Sequence, residues 1–558
     1  MAWPQPTIDS GREWAIPLRV AHGERLYAEV VSFHGPVPVW LHAAAYRLAG
    51  ERVTTPLLLL VPLSVLLLGS LHVLARRAAG PLASLAGTAL ALSIALVAPN
   101  GGALVFPYSF AALHALAWSA CGVAAATGGR QGGAVAVLAW GIALASRPEI
   151  AAAAIGAALL ARAREGEGWR WPSATVRQAL LAVAVAAIPW GIALRGIPLA
   201  SLRLQGPLVL LGPPEEWRAV YRVVSGLGDL RGSLAAVATA AALGLGLAGA
   251  ALLAGRLSRG RALRLATVAA LAAAAVALLV GTETGRVLDA GLPPVLRAAP
   301  PALALLATVL SARKGPRSGA VLAVVALGAL GASRVALGFS YGWTATPYAA
   351  LAAPALCAAL AGATTLAGTR RTALAGALAF LAVLQVGRVV LISGRAARVA
   401  LDTGRGVVRL PPDQARAFAG AISWLRANGR AGDALAGFPE AGFLHLTTGL
   451  ANPLRQDQVL PGHLGPAGED EAVARLRERR PRFVALLNQP SAAFGPASFG
   501  GDYAVRLWST VLEGWSLAAS FGTAGPSEPV GPGPFFVRIY ERRAGPEAPP
   551  GAAGPPAR

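Results

Sequence analysis

Charged residues are scarce in this chain of 558 residues. They make up 14% of it, whereas apolar residues make up 55%, and the mean hydropathy is +0.55. A soluble domain of ordinary composition carries about 25% charged residues. The composition therefore excludes a wholly soluble globular protein and predicts an α-helical polytopic membrane protein.

Cysteine and the usual cofactor motifs are also nearly absent. The two cysteines, Cys121 and Cys357, lie in apolar stretches, where cysteine mostly serves as a small apolar side chain, so we infer no disulfide or metal site from them. The sequence has no paired Cys or Cys/His spacing, no phosphate-binding glycine loop and no Asp-x-Asp in a predicted external loop. These absences disfavour a nucleotide-sugar transferase or a strictly metal-dependent one, and no cofactor is predicted.

Twelve apolar blocks lie between residues 54 and 392. Many have the length that a helix needs to cross about 30 Å of hydrocarbon. The blocks at 132–146 and 149–162 are short and flank Arg147 and Pro148, so they form either two spans or one long helix broken at the proline. The predicted blocks are 54–75, 81–98, 109–127, 132–146, 149–162, 177–195, 231–255, 265–281, 297–312, 318–337, 347–366 and 372–392.

Basic residues cluster in alternate loops when the two short blocks count as separate spans. The positive-inside rule assigns this side to the cytoplasm, so the net charge of +22 does not predict a nucleic-acid partner. The clusters lie at 76–77, 130, 162–177, 256–264, 313–317 and 370–371. The extracytoplasmic side then holds 1–53, 99–108, 147–149, 196–230, 282–296, 338–346 and everything after about 393.

The polar start of the chain conflicts with this topology. Residues 1–12 lack the basic start and the apolar core of a secretory signal peptide, yet residues 1–53 are predicted outside the cytoplasm. Either a short N-terminus crosses the membrane without a helix, or a first transmembrane helix precedes residue 1. We favour the second explanation.

Four regions follow from the pattern. Residues 1–53 form the first extracytoplasmic loop with an amphipathic juxtamembrane helix, and 54–392 form a multi-pass transmembrane domain. Residues 393–543 form an extracytoplasmic α/β domain, because strand-like runs at 433–439, 482–488 and 534–543 alternate with helical patterns. The helical patterns lie at 413–428, 469–480 and 502–513. Residues 544–558 are a Pro/Gly/Ala tail that we expect to be disordered.

Short motifs stand in a fixed order on the predicted outer side. The first loop has "IDSGRE" with Asp9 and Glu13, "GERLYAE" with Glu29, and "HGP" starting at His34. Later external segments have "FPYS", "SRPE", "YGWTATP", "FPEAGFLHLTTGLANPLRQDQVLP" and "FGGDY". In order and sidedness, these motifs resemble GT-C-fold membrane glycosyltransferases of the family 39-like group, which includes relatives of protein O-mannosyltransferases and aminoarabinose transferases. The resemblance runs from residue 6 to residue 543.

The resemblance implies an enzyme with a GT-C fold of about 11 to 13 transmembrane helices and a C-terminal extracytoplasmic α/β domain. Such enzymes transfer a sugar from a polyprenyl-phosphate donor to an acceptor hydroxyl at the extracytoplasmic face of the bacterial cell membrane. The implied partners are the bilayer, the lipid-linked sugar and an unidentified envelope acceptor, which is a glycan, a lipid or a protein. No divalent metal is indicated.

Asp9 is the implied catalytic base. An inverting displacement needs one carboxylate within reach of the acceptor hydroxyl. The leaving phosphate needs cations, which Arg147 and Arg334 provide at the predicted outer ends of helices. Relatives have Asp in place of Glu29, Lys in place of Arg147 and a helix before the first acid. The implied substrate-binding residues are Glu13, Glu29, His34, Tyr108, Arg147, Glu149, Arg334, Tyr341 and Glu440.

Each residue also has a purely structural interpretation. Asp9 is equally suited to cap the helix that follows it, and Glu440 to sit at a helix N-terminus. Arg147 and Glu149 are also suited to a structural ion pair, and Arg334 to reach the membrane interface by extending its side chain. The remaining residues fit solvated loop groups (Glu13, Glu29, His34) or aromatic side chains at the interface (Tyr108, Tyr341).

Two other functions compete with the transferase. A transporter or lipid flippase also has about a dozen helices, but it is expected to show an internal repeat with paired broken helices, and neither is evident here. A non-catalytic membrane protein is the other alternative, and it is favoured if no helix precedes the first loop.

Overall fold

The computed structural model describes the N-terminal half of the chain, one later helix and the C-terminal domain. The described ranges are 9–96, 109–128, 132–163, 172–209, 215–224, 227–235, 318–333, 398–430, 432–489, 498–522 and 533–543, with isolated residues between them. The predicted blocks 265–281, 297–312, 347–366 and 372–392, most of 231–255, and the predicted tail 544–558 lie outside the described residues.

The first loop contains two helices, α1 (Ser10–Ala21) and α2 (Pro36–Ala49). Helix α2 begins with Pro36, whose fixed φ angle suits the first helical position, and it stops at Gly50, whose φ is +83°. In α1, Trp14 is fully buried and its Nε1 donates to the carbonyl of Val53 at 3.2 Å. The sequence predicted one amphipathic helix in this loop, and the structure has two.

Apolar helices follow in the order that the sequence predicted. The break at 145–147 separates two helices, so the two short blocks are not one continuous helix. Helices α3 and α5 pack together, and α5 also packs against both helices that flank the break. These helices are α3 (Leu57–Ala79), α4 (Pro81–Leu96), α5 (Phe110–Ala126), α6 (Gly133–Leu144), α7 (Pro148–Ala163), α8 (Ser173–Leu194) and α11 (Ser318–Ser333), with the short α9 (Leu199–Gln205) and α10 (Glu215–Val224) between α8 and α11.

Large apolar side chains face outward on two of these helices. Among the described residues, α3 and α8 are long and apolar enough to cross a membrane. Val65 on α3 and Leu180 and Ile188 on α8 are each about two thirds exposed. An apolar surface of this kind is rare on a soluble monomer and suits contact with lipid. The prediction of a helical membrane region followed by an α/β domain is confirmed.

The two ends of α5 contact residues that the sequence placed on opposite sides of the membrane. At its first residue, the amide of Phe110 donates to the carboxylate of Glu13 in the first loop at 2.7 Å. At its last turn, Arg77 donates to the carbonyl of Ala124, and Arg162 donates to the carbonyl of Ala126 at 2.9 Å. The predicted outer loop therefore contacts one end of α5, and the predicted inner arginines contact the other end.

The C-terminal domain is built on a four-stranded sheet with the order β3-β4-β6-β5. Strands β3 and β4 are parallel, and the other pairs are antiparallel. A separate β1-β2 hairpin precedes the sheet. The elements are β1 (Val399–Asp402), β2 (Val407–Leu410), α12 (Pro412–Asn428), β3 (Leu435–Phe438), α13 (Gly442–Thr448), α14 (Gly465–Arg479), β4 (Phe483–Leu487), α15 (Val505–Gly514), β5 (Trp515–Gly522) and β6 (Phe536–Arg542).

Most predicted elements of this domain occur within a few residues of their expected positions. Helix α12 buries Ala417, Ala421, Ile422 and Leu425, the face that its spacing predicted. The prediction missed β5 and the β1-β2 hairpin. It was also wrong about the alternation of the last strand. Phe536–Tyr540 are all buried, because Val537 and Ile539 on one face and Phe536 and Tyr540 on the other pack in two separate apolar clusters.

Candidate functional site

Helix α1 contacts the C-terminal domain through two glycines. A Cβ atom on Gly442, the first residue of α13, would lie 2.1 Å from the carbonyl oxygen of Gly11. A Cβ atom on Gly11 would lie 2.8 Å from Oε1 of Glu440. Any larger residue at either position would separate the two helices. The glycines therefore let the first loop and the C-terminal domain share one polar cluster.

Glu440 lies at the centre of this cluster and is fully buried. Its Oε2 accepts the amide of Asp9 at 3.0 Å, and its Oε1 accepts the amide of Arg12 at 2.8 Å. The carboxylate thus caps the N-terminus of α1, where unpaired amides and the helix dipole favour a negative charge. The sequence placed Glu440 at a helix N-terminus; the helix it caps is α1, more than 400 residues earlier in the chain.

The pKa of Glu440 is raised to about 7. Burial is the main cause, since it disfavours the charged carboxylate, and the nearby charge of Asp9 adds to it. The cation of Arg12 and the two amide donors act in the opposite direction but do not cancel the effect of burial.

Asp9 lies directly before α1 with a positive φ of +59° and a ψ of −42°, a backbone conformation outside the ordinary helical and extended regions. Such a conformation costs a non-glycine residue on the order of 1–3 kcal/mol, so neighbouring contacts must hold it. The Asp9 side chain makes no capping hydrogen bond to α1, and the capping role predicted as an alternative for Asp9 belongs to Glu440. The Asp9 carboxylate is instead 20% exposed, at the edge of the cluster.

Arg12 and Gln458 link the acids of the cluster. Gln458 Nε2 donates to Glu440 Oε2 at 2.8 Å and to Asp9 Oδ1 at 3.3 Å, while its Oε1 accepts from Arg12 Nη1 at 2.8 Å. Arg12 Nη2 also lies 3.0 Å from Glu13 Oε1 and 3.4 Å from Asp9 Oδ1. Burial alone would lower the pKa of Arg12, but the charges of Asp9, Glu13 and Glu440 outweigh it and raise the pKa.

Glu13 connects this cluster to the apolar helices. Its Oε1 contacts Arg12, and its Oε2 accepts the amide of Phe110 at the start of α5. The side chain is buried, and this burial raises the pKa of its carboxyl above the usual value although Arg12 and the Phe110 amide oppose the shift. Glu13 is therefore not the solvated loop carboxylate that the sequence offered as an alternative.

A small cavity of about 30 Å³ adjoins Glu13 and Arg12. His34 lies in its lining with His42 of α2 and Ser32, and the rest of the lining is mainly apolar. His42 is buried, and its Nε2 lies 3.4 Å from Nε2 of His114 on α5. The cavity places polar groups of the first loop beside the N-terminus of α5. No pattern in the sequence pointed to His42.

The motifs "HGP" and "SRPE" are in direct contact. The amide of Gly35 donates to the carbonyl of Ser146 at 2.9 Å, and a Cβ atom on Gly35 would lie 2.1 Å from the carbonyl oxygen of Ala145. Arg147 is buried at this break, and its Nε donates to Glu149 Oε1 at 2.7 Å. The ion pair that was one interpretation of these two residues is present.

The other predicted site residues lie elsewhere or outside the described part of the chain. Glu29 is exposed, and its carboxylate accepts the amide of Arg25 within its own turn at 2.7 Å, so the structure does not bring it to the cluster. Tyr108, Arg334 and Tyr341 lie outside the described residues. The cluster therefore unites three of the predicted residues, Asp9, Glu13 and Glu440, and His34 lines the adjoining cavity.

A second buried polar contact joins α1 to the domain at its other end. Arg19 Nη1 lies 2.9 Å from Asp457 Oδ2, and Arg19 Nη2 donates to the carbonyl of Leu454 at 2.8 Å and to Glu24. Arg455 donates to the carbonyl of Tyr27 at 2.7 Å. Asp457 directly precedes Gln458, so the ion pair between Arg19 and Asp457 also fixes the position of the Gln458 side-chain amide.

Sequence reasoning missed Arg12, Gln458, Arg19 and Asp457 as parts of one arrangement. A weak signal existed for Arg12, which follows Asp9 by three residues and therefore comes near it on a helix. No local pattern identifies Gln458, because its partners Asp9 and Arg12 lie about 450 residues away in the sequence.

Comparison with known proteins gave matches among solved structures. No protein-family model matches the chain, and no curated protein matches it. The structure is similar to ArnT from Cupriavidus metallidurans in the apo state, with a TM-score of 0.40, 13% identity, and 96% of this chain and 94% of that chain covered. For ArnT bound to undecaprenyl phosphate, the TM-score is 0.37 and the identity 14%, with the same shares covered.

The chain is also similar to the oligosaccharyltransferase of Archaeoglobus fulgidus in a complex with Zn and sulfate. The TM-score is 0.44 and the identity 14%, over 86% of this chain and 64% of that chain. ArnT is an aminoarabinose transferase, and both neighbours are GT-C-fold glycosyltransferases.

Proposed function

We propose that this protein is a membrane glycosyltransferase that moves a sugar from a polyprenyl-phosphate donor to an acceptor hydroxyl, with Asp9 as the base. The observation that carries the proposal is the position of the Asp9 carboxylate. It lies at the rim of a buried polar cluster, where the first loop, the start of α5 and the C-terminal domain meet. Two motif acids from opposite ends of the sequence, Asp9 and Glu440, meet at this point.

The contacts of the Asp9 carboxylate suit a base. Its contacts with described residues, from Gln458 Nε2 and Arg12 Nη2, both involve Oδ1. Oδ2 makes no such contact within the described part of the chain, and the side chain is 20% exposed. One oxygen is therefore held while the other remains available to a substrate hydroxyl, as general-base catalysis requires.

The reaction is a single displacement. The acceptor oxygen attacks the anomeric carbon of the sugar from the face opposite the phosphate, the bond between that carbon and the phosphate oxygen breaks, and the hydroxyl proton passes to Asp9 Oδ2. Polyprenyl phosphate leaves with the electron pair, and the configuration at the anomeric carbon is inverted. The catalytic contribution of such a base is about 10²- to 10⁴-fold.

Cations on the same side of the helices would stabilise the departing phosphate. Arg147 is the described candidate, because it is buried at the helix break that contacts the first loop. Arg334 retains the same proposed role. The Arg147 Nε donates to Glu149 Oε1 at 2.7 Å, and this ion pair orients the guanidinium at the helix break.

The site is proposed to face the outside of the bacterial cell membrane. The described arginines Arg77 and Arg162 lie at the opposite end of α5 from Glu13, and the positive-inside rule assigns such clusters to the cytoplasm. The C-terminal domain, which contacts the first loop, then lies outside as well. The acceptor is proposed to be a hydroxyl of an envelope glycan, lipid or protein.

The function is tested in cells that lack the gene. Mass spectrometry of envelope glycans, glycolipids and glycoproteins should show one sugar modification that disappears on deletion and returns with the wild-type gene. Asp9→Asn should fail to restore it, whereas Asp470→Asn, which changes an exposed aspartate on α14, should restore it fully. Identical glycan profiles with and without the gene would contradict the proposal.

A further inference from the structure

We propose that Glu440 and Gln458, both from the C-terminal domain, are positioning residues that hold Asp9 in its reactive geometry. This inference rests on the proposed function of Asp9 as base and extends it. Its consequence is that the site is complete only when the C-terminal domain is docked on α1. The domain then belongs to the active site and is more than an external appendage.

The backbone of Asp9 depends on Glu440. The φ of +59° is unfavourable for aspartate, and the amides of Asp9 and Arg12 each donate to one oxygen of the Glu440 carboxylate. These two bonds fix the residue before α1 and the first turn of α1 to the same rigid group. Loss of either bond removes a restraint on the direction in which the Asp9 side chain leaves the backbone.

The carboxylate of Asp9 depends on Gln458. Arginine can only donate and an ionised carboxylate can only accept, so the Gln458 amide has one orientation that satisfies all its neighbours. In this orientation Oε1 faces Arg12, and Nε2 faces both Glu440 and Asp9. Gln458 is 5% exposed, so water does not replace these partners. The amide anchors Asp9 Oδ1, while the Asp9 side chain remains 20% exposed.

The two positioning residues are themselves held together. Glu440 and Gln458 form an antiparallel backbone bridge, and the amide of Val459 donates to the carbonyl of Pro439 at 2.7 Å. Asp457, the residue before Gln458, is paired with Arg19 of α1. The ion pair between Arg19 and Asp457 therefore also holds Gln458 beside Asp9.

The kinetic test uses the purified full-length protein with a polyprenyl-phosphate sugar donor. Gln458→Met keeps the side-chain length but removes both hydrogen-bonding functions. We expect kcat to fall about 10- to 100-fold, the range that a small misplacement of a reacting group produces, with KM within about twofold of the wild type. Gln458→Glu should lose at least as much of its kcat, because it places a third carboxylate beside Glu440 and Asp9.

The matched control is Gln414→Met on α12, which should keep the wild-type kcat. Wild-type kcat in Gln458→Met would overturn the proposal.

A second measurement separates this inference from the proposed function, because it needs no substrate. Hydrogen exchange of the peptide that covers residues 9–13 reports on the amides of Asp9 and Arg12. In Glu440→Ala both amides lose their acceptor, and their exchange should become about tenfold faster or more, whereas Glu440→Gln should free one of them. Glu478→Gln, an exposed change on α14, should leave the exchange unchanged.

The outcomes are distinct. Absence of turnover in the wild type with every lipid-linked donor tested would refute the proposed function, while faster exchange in Glu440→Ala would still support the role of Glu440 in holding the backbone. Turnover that depends on Asp9 but is unaffected by Gln458→Met and Glu440→Gln would refute the positioning role alone. Unchanged exchange in Glu440→Ala would also refute it.

Discussion

At the scale of single residues, two acids of the cluster, Asp9 and Glu440, have different surroundings. Asp9 is partly exposed and has one carboxylate oxygen without a described contact, whereas Glu440 is buried and uses both oxygens to hold α1. In the proposed reaction these two carboxylates have different tasks: Asp9 acts as the base, and Glu440 holds the backbone. The sequence motifs predicted both acids as site residues. Their different proposed roles depend on how deeply each is buried, which a motif does not reveal.

The raised pKa of Glu440 leads to a prediction about stability. Its folded-state pKa of about 7 exceeds the ordinary value of 4.5, so between these pH values the folded protein keeps a proton that the unfolded chain has lost. The contribution of Glu440 to the free energy of unfolding therefore falls as pH rises through this window, by at most about 1.4 kcal/mol for each pH unit. It levels off only about one pH unit above the folded-state pKa, where the folded protein has also lost the proton.

Thermal unfolding of the detergent-solubilised protein between pH 5 and pH 8 measures this effect. Tm of the wild type should fall between pH 5 and pH 7 by more than Tm of Glu440→Gln, which has no proton to lose at this position. Glu478→Gln should follow the wild type, since this glutamate is exposed. Parallel curves for the wild type and Glu440→Gln would show that the Glu440 pKa is not raised.

At the scale of elements, the close contact between the first loop and the α6–α7 break depends on a residue without a side chain. Gly35 has an ordinary φ of −64°, so its backbone conformation does not require glycine. Lack of space does, because an added Cβ would lie 2.1 Å from the carbonyl oxygen of Ala145. The contact joins two motifs that lie more than 100 residues apart in the sequence. Both motifs were visible in the sequence, but their contact was not.

Gly35→Ala should therefore destabilise the protein. Overpacking of this kind costs about 1–3 kcal/mol, because backbone atoms of the break must move. Gly156→Ala on α7 is the matched control, since an added Cβ there meets nothing within 4 Å, and alanine favours a helix. Thermal unfolding should show a lower Tm for Gly35→Ala and an equal or higher Tm for Gly156→Ala. Equal Tm values for Gly35→Ala and the wild type would contradict the close packing.

Elements with a strong local pattern were the predictable part of the fold. The described apolar helices and helix α12 follow from hydrophobic runs and helical spacing. Strand β5 was missed because its residues are largely exposed and show no apolar alternation. Strand β6 was expected to bury one face, although both of its faces pack in apolar clusters. Helices α1 and α13 meet through Gly11 and Gly442, and such a long-range approach leaves no local signal.

At the scale of the whole molecule, two buried polar contacts dock the C-terminal domain on α1, one at each end of the helix. Glu440 holds the N-terminus of α1, and Asp457 pairs with Arg19 in its last turn. The Asp457 side chain is fully buried. Its other described side-chain partner is Asn452. The sequence predicted a separate α/β domain, but no pattern in it indicated that residues of this domain would contact α1 of the first loop.

Arg19→Met should weaken this docking strongly. It leaves the Asp457 carboxylate buried without its cation, and breaking a buried ion pair in this way costs about 3–5 kcal/mol. Arg506→Met is the matched control, because its pair with Asp470 is exposed and such pairs contribute about 0–1 kcal/mol. Limited proteolysis should release the C-terminal domain faster in Arg19→Met than in the wild type or the control. Equal rates in all three proteins would show that the pair does not hold the domain.

Asp9 is held by the C-terminal domain and is the proposed base of the reaction. The decisive measurement is release of polyprenyl phosphate from a polyprenyl-phosphate sugar by the purified protein in the presence of acceptor. We expect release by the wild type and by Asp470→Asn, and a loss of about 10²- to 10⁴-fold in Asp9→Asn and Asp9→Ala at unchanged yield of folded protein. Wild-type release by both Asp9 variants would contradict the assignment of Asp9 as the base.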